Sequence, residues 1–193
     1  MALPTRPALS TITTVVDKLV NSFPRPVVTL IVGILTYDTL VERIYQISYI
    51  AALMQTTRGG SKLGFFALTF PTTVYATLSP TPFVKPANSG PTPAILMNTT
   101  NIKQTAIRYR FTLKTELYML LQNMDKSLKQ QLLGVVEDIY IRSLKEKYVG
   151  HGNLTCLEMI DHLKANYYKI TLADLKLDTA HMNAPHNINK PFE

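Results

Sequence analysis

Residues 101–139 read NIKQTAIRYRFTLKTELYMLLQNMDKSLKQQLLGVVEDI, and the spacing of apolar side chains in this stretch decides the fold class. Ile102, Ala106, Tyr109, Leu113, Leu117, Leu120 and Met124 recur at steps of three or four, the mark of one apolar face on an α-helix. A break is expected near Asp125, after which Leu128, Leu132, Val135 and Ile139 continue the stripe. These spans predict the main helical bundle, with a helix over 101–122.

Toward the C-terminus, Gly150-His151-Gly152 closes this block. Thr155 with Glu158 three residues on forms a capping box, which satisfies orphan N–H groups at a helix start. A helix over 155–168 comes next, burying Leu157, Ile160, Leu163 and Tyr167. Thr171 with Asp174 repeats the signal more weakly and opens a helix over 171–183, through Leu172, Leu175 and Met182, that Pro185 terminates.

Toward the N-terminus, Ser79 to Pro93 holds five prolines and Gly90, too many missing N–H donors for a helix interior or a central strand. Before this connector, Phe65 to Leu78 suits a short helix or a strand. Leu40, Ile44, Ile47, Ala51 and Met54 trace a helix over 36–55, with Thr36 as N-cap and Gly59-Gly60 as its stop. Around a weak pattern at Ile12 to Leu19, Pro4, Pro7, Pro24 and Pro26 predict a mobile arm. The expected organisation is a flexible arm over 1–26, a helical segment over 27–78, a Pro-rich connector over 79–98 and a bundle over 99–193. Its core is expected to hold Leu40, Ile44, Leu113, Leu117, Leu132, Leu157, Ile160, Leu163, Tyr167 and Leu175.

Composition is consistent with this mainly α-helical reading. The chain has 193 residues, 46% of them hydrophobic, enough for one domain with a core. A single cysteine, Cys156, excludes an internal disulfide and fits a reducing compartment, so a cytoplasmic location is expected. The apolar run Val27 to Leu35 is too short to span a bilayer, which needs about 20 residues, and is followed by Asp38, Glu42 and Arg43. It reads as buried or partner-covered, and no membrane partner is expected. Met1 to Asn21 lacks the pattern of a signal peptide, because Thr11, Thr13, Thr14, Asp17 and Lys18 interrupt it.

The net charge of +7 permits contact with nucleic acid without requiring it. Lys103, Arg110 and Lys114 fall at steps of seven and four, lining one side of the long helix away from its stripe. They are the candidate RNA contacts, although a charged outer face is common to soluble helices.

No motif supports catalysis, a cofactor or a small-molecule substrate. Leu177-Asp178-Thr179-Ala180 lacks the glycine of the retroelement protease signature and falls inside a predicted helix, whereas that chemistry needs paired loop aspartates. His151, His162, His181 and His186 with Cys156 lack metal-ligand spacing, and Cys156 and His162, six apart, stand nearly opposite in helical phase. Arg58-Gly59-Gly60-Ser61-Lys62 fails the phosphate-loop pattern and comes after a helix instead of preceding one. Asn98-Thr99-Thr100 and Asn153-Leu154-Thr155 read as turn and cap residues.

Several short blocks occur in the order found in the Gag-like N-terminal region of copia-type retroelement polyproteins. Thr36-Tyr37-Asp38-Thr39-Leu40 resembles that family's helix start, with Leu35 in place of a proline. Arg58-Gly59-Gly60, Gly64, Ala67-Leu68 and Tyr75 resemble its Gly-Gly turn and the segment after it. Lys129-Gln130-Gln131-Leu132-Leu133, Tyr140, Leu144 and Gly150 are similar to its helical middle. Thr155 to Tyr167, Ile170-Thr171, Asp174-Leu175, Met182-Asn183-Ala184-Pro185 and Pro191-Phe192-Glu193 resemble its C-terminal helices and connection, with His186 where an aromatic is usual.

The resemblance covers roughly residues 24–193 and implies a capsid-type helical bundle that self-associates into particles around element RNA. It carries over no catalytic residue, and it implies further helices beyond Glu193, so that the bundle as given is incomplete. The expected function is therefore structural, with a homo-oligomer and RNA as partners, and the bundle faces and Val27 to Leu35 as contacts. The alternatives are a basic RNA-binding module and an inactive retroelement remnant.

Overall fold

The computed structural model describes residues 9–23, 28, 30–31, 35–56, 62–95 and 100–167. Among them the chain is mainly helical, with no strand and one isolated bridge between Glu146 and Gly150. In chain order the helices are α1 (Leu9–Asn21), α2 (Tyr37–Leu53), α3 (Thr72–Leu78), α4 (Asn101–Val135), α5 (Asp138–Ile141) and α6 (Cys156–Tyr167). Short 3-10 turns at Phe66–Leu68 and Arg142–Leu144 precede α3 and succeed α5.

Helix α2 begins where a hydroxyl can cap it. The Thr39 N–H donates to Thr36 Oγ1 at 3.3 Å, and the Thr36 N–H donates back to Thr39 Oγ1 at 3.1 Å. Its inward face buries Leu40, Ile44, Ile47, Ile50 and Ala51. The helix ends at Leu53, ahead of Gly59 and Gly60, which lie outside the described residues. Gly64 brings the chain back against the end of α2. Its φ is +43°, and a Cβ there would overlap the carbonyl oxygens of Ala51, Ala52 and Met54. Only glycine lets the chain pass this close to the helix end, and the Phe65 N–H then donates to Ala51 O at 2.8 Å.

The span 65–78 resolves to a 3-10 turn and α3. Phe66 stacks on Phe70 with ring centroids 4.6 Å apart, and Lys164 of α6 places Nζ 4.4 Å from the Phe70 ring centre. Residues 79–95 carry neither helix nor strand, yet their start is anchored: Phe83 meets Phe65 and Tyr75 edge-on at 6.3 and 6.0 Å.

The core sits where α2, the C-terminal half of α4 and α6 converge. Met124, Leu128, Leu132 and Val135 from α4 pack with Leu40, Ile44 and Ile47 from α2 and with Met159, Ile160 and Leu163 from α6. Tyr140 closes one end, its hydroxyl accepting the Leu35 N–H at 3.1 Å and its ring meeting Tyr167 edge-on at 5.2 Å.

Several expectations need correction. No break occurs at Asp125; α4 runs unbroken for 35 residues. The arm read as mobile includes α1, whose Val16 is buried, as is Phe23 just beyond the helix, and Ser127 Oγ of α4 reaches Val16 O at 3.4 Å. Of the two readings of the apolar run, buried or partner-covered, Val28, Ile31 and Leu35 follow the first, packed in this chain's own core with the Ile31 N–H donating to Val135 O at 3.0 Å, so these three are not the contact surface also expected of the run; Leu30 is exposed. Ile139, expected on the buried stripe, is exposed.

Candidate assembly interface

The core side chains of α4 begin at Leu121. Upstream, the helix continues with an apolar stripe that the described residues leave uncovered: Ile102 is 84% exposed, Tyr109 67%, Leu113 43% and Leu120 41%. Leu117 is only half-buried and Ala106 is exposed. Leu113 and Leu117 therefore do not belong to the core in which they were expected. The physical reason is simple: periodicity records that a face is apolar, whereas burial depends on what covers it, and the neighbours of α4 gather at its other half.

Lys103, Arg110 and Lys114 are exposed, as is Arg108. At about 100° per residue the first three lie roughly a quarter-turn from the centre of the apolar stripe. They flank it instead of lying away from it, so one strip of helix surface presents an apolar seam with a basic edge. Around Ala106, the exposed residues Asn101, Ile102, Thr105 and Tyr109 present an open, mostly apolar patch.

A second feature lies where α4 meets the loop before α6. Lys129 is buried, and its Nζ donates to the carbonyls of His151, Gly152 and Leu154 at 3.0, 3.3 and 2.8 Å. One turn earlier, Asp125 Oδ1 accepts the Cys156 N–H at 3.1 Å, a cap supplied to α6 from 31 residues away. Burial raises the Asp125 carboxyl above its ordinary value, opposed by that N–H and by Lys129 and Lys85. The capping box completes the joint. Thr155 donates to Glu158 Oε2 through its N–H at 2.7 Å and its hydroxyl at 2.8 Å, and Glu158 N–H donates to Thr155 Oγ1 at 3.2 Å. These bonds, the backbone one first, hold the Glu158 carboxyl below its ordinary value.

Between Lys85, Gln122, Lys126 and Asn153 this joint leaves a cleft of about 230 Å3. Beneath it Lys129, Asp125, Thr155 and Glu158 are engaged with backbone and with one another, which makes the joint a structural clasp. Cys156 is fully buried, and burial, reinforced by Asp125, pushes its thiol well above the usual range, a setting for an inert thiol. His162 instead faces Ser143 Oγ at 3.1 Å. Among the described residues no group of three or more His, Cys, Asp or Glu side chains could hold a metal ion, and no helix is long and apolar enough to cross a membrane.

The remaining expected positions divide clearly. Leu40, Ile44, Leu132, Ile160 and Leu163 are buried; Tyr167 is half-buried against the core, and Leu157 is half-buried beside the cleft. Thr36, Thr155 and Glu158 cap helices as expected, whereas Gly150, with φ +59°, turns the chain back at the bridge to Glu146. Thr171, Leu175, Asp178, His181, Pro185 and His186 lie outside the described residues. Asp125 and Lys129 were not expected from the sequence to bridge distant backbone. Two side chains of opposite charge at i and i+4, one turn apart on the helix half that carries the core, were the available signal. Comparison with protein-family models, with curated proteins and with solved structures found no match.

Proposed function

We propose that this chain is a Gag-like structural protein that self-associates, a capsid-type assembly domain for particles enclosing element RNA. The observation that carries the reading is the uncovered seam on α4 from Ile102 to Leu120, which ends where the core begins. A solvent-facing row of Ile, Tyr and Leu at helical spacing is the kind of surface that association covers. The ordered blocks from Thr36 to Glu193 that resemble copia-type Gag regions support the same reading, which involves burial and no catalysis.

The exposed basic edge favours a second role at the same place, contact with RNA phosphates through Lys103, Arg110 and Lys114. Sedimentation velocity over a concentration series tests the first role, with concentration-dependent oligomers expected and a strict monomer at high concentration counting against it. Titration of RNA binding with salt tests the second. A steep loss of affinity with added salt is expected, and salt-insensitive binding would exclude a phosphate-led contact.

A further inference from the structure

We infer that the stretch of α4 from Ile102 to Lys114 binds single-stranded RNA, with a base stacked on Tyr109 and the phosphates along Lys103, Arg110 and Lys114. This deepens the second role proposed above and rests on it. The sequence carries no Asp or Glu between Glu42 and Glu116, and this acid-free run includes Lys103, Arg108, Arg110 and Lys114. A merely solvated helix face mixes both signs. Here all four cations are exposed, and none of them forms an ion pair among the described residues. Such a surface repels a second copy of itself and attracts a polyanion.

Helical phase arranges this stretch as two neighbouring strips. Lys103, Arg110 and Lys114 lie about 100–140° round the helix from Tyr109, all on the same side, and span about 16 Å along the axis. Tyr109 is 67% exposed and shares an open, mostly apolar patch with Ile102 and the small Ala106. A row of cations beside an aromatic and apolar strip suits a single strand, because its phosphates and the faces of its bases are both accessible. A duplex keeps its base faces stacked inside and offers this surface only backbone, which leaves Tyr109 in water.

Glu116 marks the end of the track. It is the first carboxylate after Glu42 and is exposed. It lies within about 20° of Tyr109 in phase and about 10 Å further along the axis, where its charge disfavours a phosphodiester chain. The strand therefore leaves the helix ahead of Leu117 and Leu120, which remain for association between copies.

The test uses the full chain and fluorescence anisotropy with three probes of about twelve nucleotides. These are a labelled oligouridylate, the same strand annealed to oligoadenylate, and an abasic strand with the same number of phosphates. The oligouridylate is expected to bind about tenfold or more tightly than either of the others. The logarithm of its binding constant is expected to fall with the logarithm of salt concentration with a slope of about −2, roughly 0.7 for each of three phosphates. Lys103→Gln, Arg110→Gln and Lys114→Gln each flatten that slope by about 0.7. Lys126→Gln, an exposed cation at the mouth of the cleft and off the track, leaves it unmoved. Tyr109→Ala weakens the oligouridylate by about tenfold, in the range for one stacked base. It leaves the abasic strand, the slope and the circular dichroism as in the parent.

Equal binding of the duplex or the abasic strand, or a Tyr109→Ala chain that binds as the parent does, overturns the single-strand inference and leaves the phosphate contact standing. An equal change of slope in Lys126→Gln makes the attraction diffuse and overturns the track. Loss of self-association in place of RNA binding in Tyr109→Ala gives the strip to a second copy and overturns the inference as well. No binding of any probe overturns both this inference and the RNA role on which it rests.

Discussion

The two halves of α4 are written in the same pattern and live in different surroundings. From Leu121 to Val135 the apolar side chains meet α1, α2 and α6, and Leu128, Leu132 and Val135 have no exposed surface. From Asn101 to Leu120 the same three-and-four spacing leaves Ile102, Tyr109 and Leu113 open to solvent. A helical stripe therefore specifies which face will be buried. What buries it, this chain or another, comes from tertiary context.

The largest test of that contrast removes equivalent leucines from each half. Leu132→Ala is expected to cost about 2–5 kcal/mol, from lost transfer energy plus a cavity, while Leu113→Ala in dilute protein stays within about 0.5 kcal/mol. Urea denaturation of both variants measures the difference, and equal costs would break the comparison. The clasp comes next. Lys129→Met leaves three carbonyls without their buried donor and is expected to cost about 1–3 kcal/mol, whereas the exposed Lys114→Met should leave the midpoint unmoved. Thr155→Ala, which removes the α6 cap, is expected to cost about 1 kcal/mol, readable as a lower thermal midpoint.

The smallest effect is the most diagnostic of burial. The Asp125 carboxyl is raised in the folded chain, so its contribution is favourable at low pH and is lost as pH rises from its unfolded value through its folded value. Glu158 is lowered and acts oppositely: its contribution is present above its unfolded value and is lost as pH falls through its folded value. Asp125→Asn keeps an acceptor for the Cys156 N–H without a buried charge. It should match or slightly exceed the parent at neutral pH and fall behind in acid. A variant weaker than the parent at neutral pH would mean that the charge itself holds the joint.

Local chemistry was legible in the sequence. Thr36 caps α2, and Thr155 with Glu158 caps α6, because both ends of each bond lie within one turn. Legibility stopped where partners are distant. Asp125 reads as a helix breaker by local preference, but its carboxylate serves Cys156 from the interior of an unbroken helix. Lys129 reads as a surface cation until the carbonyls from His151 to Leu154 are brought over it. Val28, Ile31 and Leu35 read correctly as needing cover, and the cover is their own core. Leu113 was misplaced for the converse reason, since its pattern matches that of Leu132 and only its neighbours differ.

The absence of a break at Asp125 has a metric consequence. A helix rises about 1.5 Å per residue, so the exposed residues near 111 stand roughly 25 Å along the axis from the core at residue 128. Anything bound there would be held at that distance from the body of the fold, with α4 as the spacer. Removing one heptad between that point and the core would shorten the spacing by about 10 Å.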